Sequence, residues 1–112
     1  MLSAPNRLTR SDDFTHVVRR GRRAGGPLLV AHLLDRGDEA TTQVGFVVAK
    51  NVGNAVTRNV VKRRLRHLMR ERIGLLPSGS TLVVRAQPKA AVCTFTELAQ
   101  ALDRTLGRVM DQ

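Results

Sequence analysis

Cysteine is nearly missing from this 112-residue chain: Cys93 stands alone. An internal disulfide is therefore excluded, and no cysteine cluster is available to a metal. The lone thiol reads as a small, partly buried side chain without chemistry. Long apolar runs are missing too. No stretch approaches the roughly 20 consecutive apolar residues of a membrane-spanning helix, and residues 1–10 lack the apolar segment of a secretory signal. These absences point to the cytoplasm and to no membrane partner. Tryptophan and tyrosine do not occur, and Phe14, Phe46 and Phe95 are the only phenylalanines. Stacking on bases therefore has few platforms. The sequence also lacks a matched Cys–His pair, metal-ligand spacing and a glycine-rich phosphate loop of the usual form. Neither a catalytic site of its own nor a protein-bound cofactor or metal is expected.

The last scarcity is acid. Nine Asp and Glu face nineteen Lys and Arg, for a net charge of +10. A domain so basic attracts polyanions, and nucleic acid is the commonest one in a cytoplasm. Only Lys50, Lys62 and Lys89 are lysines. Forked phosphate contacts favour such an arginine excess, and a GC-rich genome produces the same bias. At 42% hydrophobic residues the chain can fold, and its length fits a single domain spanning residues 1–112.

Ser11-Asp12-Asp13-Phe14 predicts a helix start, with a capping hydroxyl and acids in the first turn. Val17 and Val18 continue an apolar face to a stop at Gly21. Arg19-Arg20-Gly21-Arg22-Arg23 reads as a basic turn. Residues 28–34 and 43–49 read as strands, taken as antiparallel neighbours because the polar turn between them (residues 35–41) is short. A basic helix follows, capped by Asn54 or Thr57 and ended by Gly74 and Pro77. Residues 81–86 form a further strand, which a crossover can place in one sheet with residues 43–49. Thr94-Phe95-Thr96-Glu97 has the capping-box pattern. Beyond it Phe95, Leu98, Leu102, Leu106 and Val109 form a core stripe. The expected class is α+β, one sheet with helices packed on it.

The basic helix carries the most information. With Asn59 at zero and 100° per residue, Lys62, Arg63, Arg66 and Arg70 fall within about 60° of it. Val61, Leu65, Leu68 and Met69 fall on the far side, and Arg64 and Arg72 lie beside them with stems that snorkel outward. Ordinary solvated helices mix signs to form ion pairs. From position 58 to 72 seven cations meet one acid, Glu71. Their mutual repulsion favours a polyanionic partner over a merely solvated face. Strands on both sides of the helix argue against a helix-turn-helix reader of DNA, and the lack of aromatics favours backbone contacts to a structured RNA. Gly53-Asn54-Ala55 before the helix offers main-chain N–H groups to one phosphate.

The run Lys50-Asn51-Val52-Gly53-Asn54-Ala55-Val56-Thr57-Arg58-Asn59-Val60-Val61-Lys62-Arg63 resembles the signature of the bacterial ribonuclease P protein family, Lys-x-x-Gly-Asn-Ala-Val-x-Arg-Asn-x-x-Lys-Arg, with every fixed position matched. The likeness extends over nearly the whole chain, through Arg7-Leu8, Ser11-Asp12-Asp13-Phe14 and Gly21 at one end and Val84-Arg85 with Pro88 at the other. It implies an αβββαβα domain with an uncommon left-handed crossover around the basic helix. It also implies a protein subunit that helps a catalytic RNA, with its Mg²⁺ ions, remove 5′ leaders from precursor tRNA, in a 1:1 protein–RNA complex. The chemistry would then lie in the RNA, and the holoenzyme, not this chain, would be the endoribonuclease. By position the RNA-binding motif maps onto Arg58, Asn59, Lys62, Arg63 and Arg66, which Arg70 extends along the same face. A leader cleft maps onto Phe14, Val18, Val30, His32 and Lys50. The chain departs from the pattern at Val60, where relatives often carry a third basic residue, and at Val18 and His32, where they often carry aromatics. Without the resemblance, Phe14 and His32 read as structural residues. The alternative function is a structural protein of another ribonucleoprotein, such as a small ribosomal protein. A DNA-binding regulator is a weaker third reading, for which no dimer interface is evident.

Overall fold

The computed structural model describes residues 4–35 and 41–112; most of the turn expected at 35–41 lies outside them. Among the described residues, three helices and four strands follow in the order α1 (Ser11–Arg20), β1 (Arg22–Gly25), β2 (Leu29–Asp35), β3 (Gln43–Val47), α2 (Ala55–Arg72), β4 (Ser80–Ala86) and α3 (Phe95–Met110). One mixed sheet has the order β1-β2-β4-β3, so the α+β class holds.

Two strand expectations change. The basic turn is instead the end of α1 followed by β1, whose Arg22 and Arg23 pair with Leu33 and His32. Its only buried residue is Ala24, too little apolar signal to mark a strand. The segments at 28–34 and 43–49 are not neighbours either. β4 inserts between them, antiparallel to β2 and parallel to β3. The short connection does reverse the chain, but it crosses the place that β4 takes. The parallel β3–β4 pair has α2 as its crossover, as the strands flanking the basic helix suggest.

Alternation assigns the two sheet faces. Leu29, Ala31 and Leu33 of β2, with Leu82, Val84 and Ala86 of β4, join α2 and α3 in the main core. On the other face Val83 packs with Leu8 and Val17 beneath α1, edged by Phe14, Val18, Leu34 and Val47. Each large apolar side chain buried this way contributes about 1.5–3 kcal/mol.

Helix ends follow local chemistry. Ser11 is the first residue of α1, not its cap; Arg10 takes the cap position without a side-chain bond, and Asp12 and Asp13 occupy the first turn. Thr94 and Glu97 form the expected capping box on α3. Leu98, Leu102, Leu106 and Val109 are buried as expected. Phe95, however, is 41% exposed. It is the first residue of α3, where the helix has not yet reached the sheet, and its ring lies 5.9 Å from that of His67.

Candidate nucleic-acid interface

The start of α2 is fixed by the two residues before it. Gly53 adopts φ 159, ψ −170, a corner of backbone space that is essentially glycine's. A Cβ there would lie 2.8 Å from Thr57 Cγ2. Asn54 then caps the helix, its Oδ1 accepting from the Thr57 N–H at 2.9 Å; of the two candidate caps, Asn54 is the one used. Val61, Leu65, Leu68 and Met69 are 0–3% exposed, which seats the apolar arc on the core. Arg64 and Arg72 do reach outward from beside it. Arg64 Nη1 donates to the Cys93 carbonyl at 3.3 Å, and Arg72 Nε pairs with Asp103 Oδ1 at 2.6 Å. Burial pushes the Cys93 thiol up from its ordinary range, away from the reactive thiolate.

The cationic arc divides in two. Asn59, Arg63 and Arg70 are exposed, whereas Arg58, Lys62 and Arg66 are half-buried. They occur at i, i+4 and i+8 and form the edge of the arc. Lys62 and Arg66 line a groove of about 280 Å³ together with Phe14, Phe46, Gly45 and Arg7. A second hollow of about 450 Å³ shares Thr9, Phe14, Phe46 and Lys62 with it and runs on past Ser11, Thr15 and Val47. The two form one channel between α1, β3 and α2. Its floor exists because position 45 is glycine. A Cβ there would overlap the Phe14 ring, so the ring packs directly against the β3 main chain at Gly45. The channel has cations on one wall, aromatic carbon on its floor, and no acid among its lining residues.

The remaining cleft candidates lie apart. Val18 is half-buried beside the small core under α1. Lys50 is exposed, in the short 3-10 turn Lys50–Val52 after β3. Val30 and His32 are 3% and 2% exposed, on the α1 side of the sheet. His32 faces Val83 across one ladder and Arg23 across the other. Neither of its ring nitrogens has a hydrogen-bond partner among the described residues. Burial, reinforced by Arg85 and Arg23, lowers its pKa, so the ring is neutral at pH 7.

Thr9, Phe46 and Arg85 are not among the site residues that the sequence points to. Arg85 does carry a signal there: it is the one charge in the apolar strand β4. It is exposed, opposite Val30 and Val47. Thr9 and Phe46 meet the channel only through tertiary structure.

No helix among the described residues is long and apolar enough to cross a membrane. Among the same residues no three His, Cys, Asp or Glu side chains gather as a metal-ion group.

Comparison with known proteins bears on this arrangement. The Ribonuclease P family model matches residues 2–110. The ribonuclease P protein component of Streptomyces avermitilis is 55% identical over 118 residues, covering 98% of this chain and 96% of that protein. That of a Nocardioides species is 54% identical, covering 97% and 95%. Among solved structures, the RNase P protein of Thermotoga maritima superposes with a TM-score of 0.79 at 26% identity, covering 92% of this chain and 96% of that one. The Staphylococcus aureus RNase P protein has a TM-score of 0.83 at 22% identity, covering 91% and 93%, and shares the fold.

Proposed function

Because this chain belongs to the ribonuclease P protein family, we propose that it binds the holoenzyme's catalytic RNA through the outer cations of α2. In the same reading it holds the 5′ leader of precursor tRNA in the channel alongside. The observation that carries the proposal is the division of one helical arc into two sets. Arg63 and Arg70, with Asn59, face outward to a folded RNA; Lys62 and Arg66 face a channel floored by Phe14 and Phe46.

A cationic wall beside an aromatic floor suits a single strand, whose phosphates take the cations while a base stacks on the ring. A duplex is too wide for a channel of this size. Gly53 and Asn54 set the start of α2, and so the height at which Arg58 and Lys62 meet that strand. Val18, Val30 and His32 stay apart from this channel, packed under α1 and on the α1 face of the sheet, and Lys50, exposed in the turn after β3, offers a further cation. Mg²⁺ held by the RNA subunit supplies the hydrolytic chemistry. The protein contributes position and charge: it reduces repulsion between two polyanions and holds the leader in one register, which turns a bimolecular encounter into an oriented one. One protein per RNA, working in the cytoplasm, completes the reading.

The test is leader-dependent affinity. The RNA–protein complex should bind precursor tRNA more tightly than leaderless tRNA, and Phe14→Ala should erase most of that difference. An unchanged difference in the variant would remove the channel from the proposal.

A further inference from the structure

We infer that the chain carries a second RNA-phosphate surface, separate from α2 and its channel, formed by Arg19, Arg20 and Arg23 where α1 runs into the edge strand β1. The inference rests on the proposed RNA-binding function and adds a surface to it.

Four of the five residues from 19 to 23 are arginine, and no acid occurs between Asp13 and Asp35. Among the described residues the β1 ladder brings none opposite them. β1 pairs with Leu33, His32, Ala31 and Val30, all neutral. Arg19, Arg20 and Arg23 are exposed, and none takes part in an ion pair among the described residues. Arg22 differs: its Nη1 donates to the Gln112 main-chain oxygen at 2.7 Å.

Two ordinary explanations account for only part of this. Cations favour the C-terminal end of a helix dipole, which covers Arg19 and Arg20 but not Arg23 on the strand. Charged residues also guard an edge strand against further pairing. That guard is already present here. Gln112 Nε2 donates to the Arg23 carbonyl at 2.6 Å, and Arg108 donates to the Gly25 carbonyl, so side chains cover the β1 main chain without help from the three arginines. An uncompensated cluster of cations remains, and a polyanion offsets its repulsion.

Position makes this surface distinct. β1 and β3 are opposite edges of the sheet, three strand spacings or about 14 Å apart, and α2 packs at the β3 end. One RNA segment on the outer arc of α2 cannot also cover β1 without wrapping the domain. The ligand is therefore a second run of RNA phosphates, supplied either by another part of the RNA subunit or by the tRNA body of the precursor.

The experiment uses Arg19→Gln, Arg20→Gln and Arg23→Gln combined, with far-UV circular dichroism to verify the fold. Affinity is measured over a salt series in two arms: protein with RNase P RNA, and assembled holoenzyme with precursor tRNA. Each lost phosphate contact flattens the log K against log salt slope by roughly 0.7–0.9. The expected result is a slope reduced by about 2 in one arm, which identifies the source of the phosphates. In parallel, a hydroxyl-radical probe is tethered through Arg20→Cys in a Cys93→Ser background, and it should cut the same RNA locally. Unchanged slopes in both arms overturn the inference, as does a flatter slope without local cuts, which reflects net charge alone. If the wild-type protein binds neither RNA, the functional proposal fails as well. If Arg58→Glu, Lys62→Glu and Arg66→Glu weaken holoenzyme binding to precursor tRNA while the β1-edge variant changes neither arm, only this inference fails.

Discussion

Helices α2 and α3 lie on the same face of the sheet, have similar lengths, and solve opposite problems. α3 spends its sequence on the fold. Leu98, Ala101, Leu102, Thr105, Leu106 and Val109 are buried, its acids and bases balance, and a capping box closes its first turn. α2 buries four residues over a longer span and carries seven cations against Glu71. The contrast shows that a helix bearing a repulsive charge arc is kept in place by its neighbours. Asn54 fixes its start, Arg64 ties it to the Cys93 carbonyl, and Arg72 ties it to Asp103 on α3 itself. The balanced helix thus supplies one of the few acids that restrain the unbalanced one.

The largest expected effect breaks this contrast at α2. Arg58→Glu, Lys62→Glu and Arg66→Glu together should weaken binding of precursor tRNA by the assembled holoenzyme by about 10²-fold at moderate salt, since the cations that meet the leader phosphates reverse sign. The far-UV circular dichroism should change little, because Leu65 and Met69 still seat the helix. Loss of the fold would mean that the cationic edge is structural. The reciprocal change is Leu102→Ala in α3, expected to cost about 2–5 kcal/mol in urea unfolding. The affinity of the remaining folded protein for RNA should be unchanged.

Smaller effects sharpen the comparison. Thr94→Ala removes the α3 cap and should cost about 1 kcal/mol, with no effect on RNA binding. Asn54→Ala removes a similar bond from α2 and should lower both stability and RNA affinity, because it shifts the first cationic turn. The smallest effect concerns pH. The folded protein holds His32 neutral, so its pKa lies below the ordinary value near 6.5. Above that value neither state gains a proton at this site. As pH falls below it, the unfolded chain binds a proton that the folded chain refuses, and stability declines. Urea midpoints between pH 7.5 and 5.5 should therefore fall, and His32→Phe should flatten part of that slope.

Local pattern alone makes α2, its apolar seat and the α3 capping box legible, because charge periodicity and capping chemistry are encoded within a few residues. The features that local pattern misses depend on partners far away in sequence. β1 is a strand because Leu33 and His32 offer it a ladder, and β2 and β3 are separated because a strand some forty residues later slots between them. Phe95 follows the stripe's spacing but sits a turn too early to be covered. At the site, position in the chain assigns Phe14 and Lys62 to different functions, leader cleft and basic helix. Only the fold shows them lining the same channel, on a floor that Gly45 leaves open. His32 cannot be placed from its own strand, since its burial comes from α1 packing over the sheet. The ribosomal-type alternative shares the charge and size, and composition does not separate it from the family to which the chain belongs.

The most direct measurement is cleavage of precursor tRNA by a bacterial ribonuclease P RNA at low Mg²⁺, with and without this protein. The account predicts strong rescue by the protein, no cleavage by the protein alone, and loss of rescue in the α2 charge-reversed variant. Specific cutting by the protein without RNA, or equal rescue by wild type and variant, would contradict it.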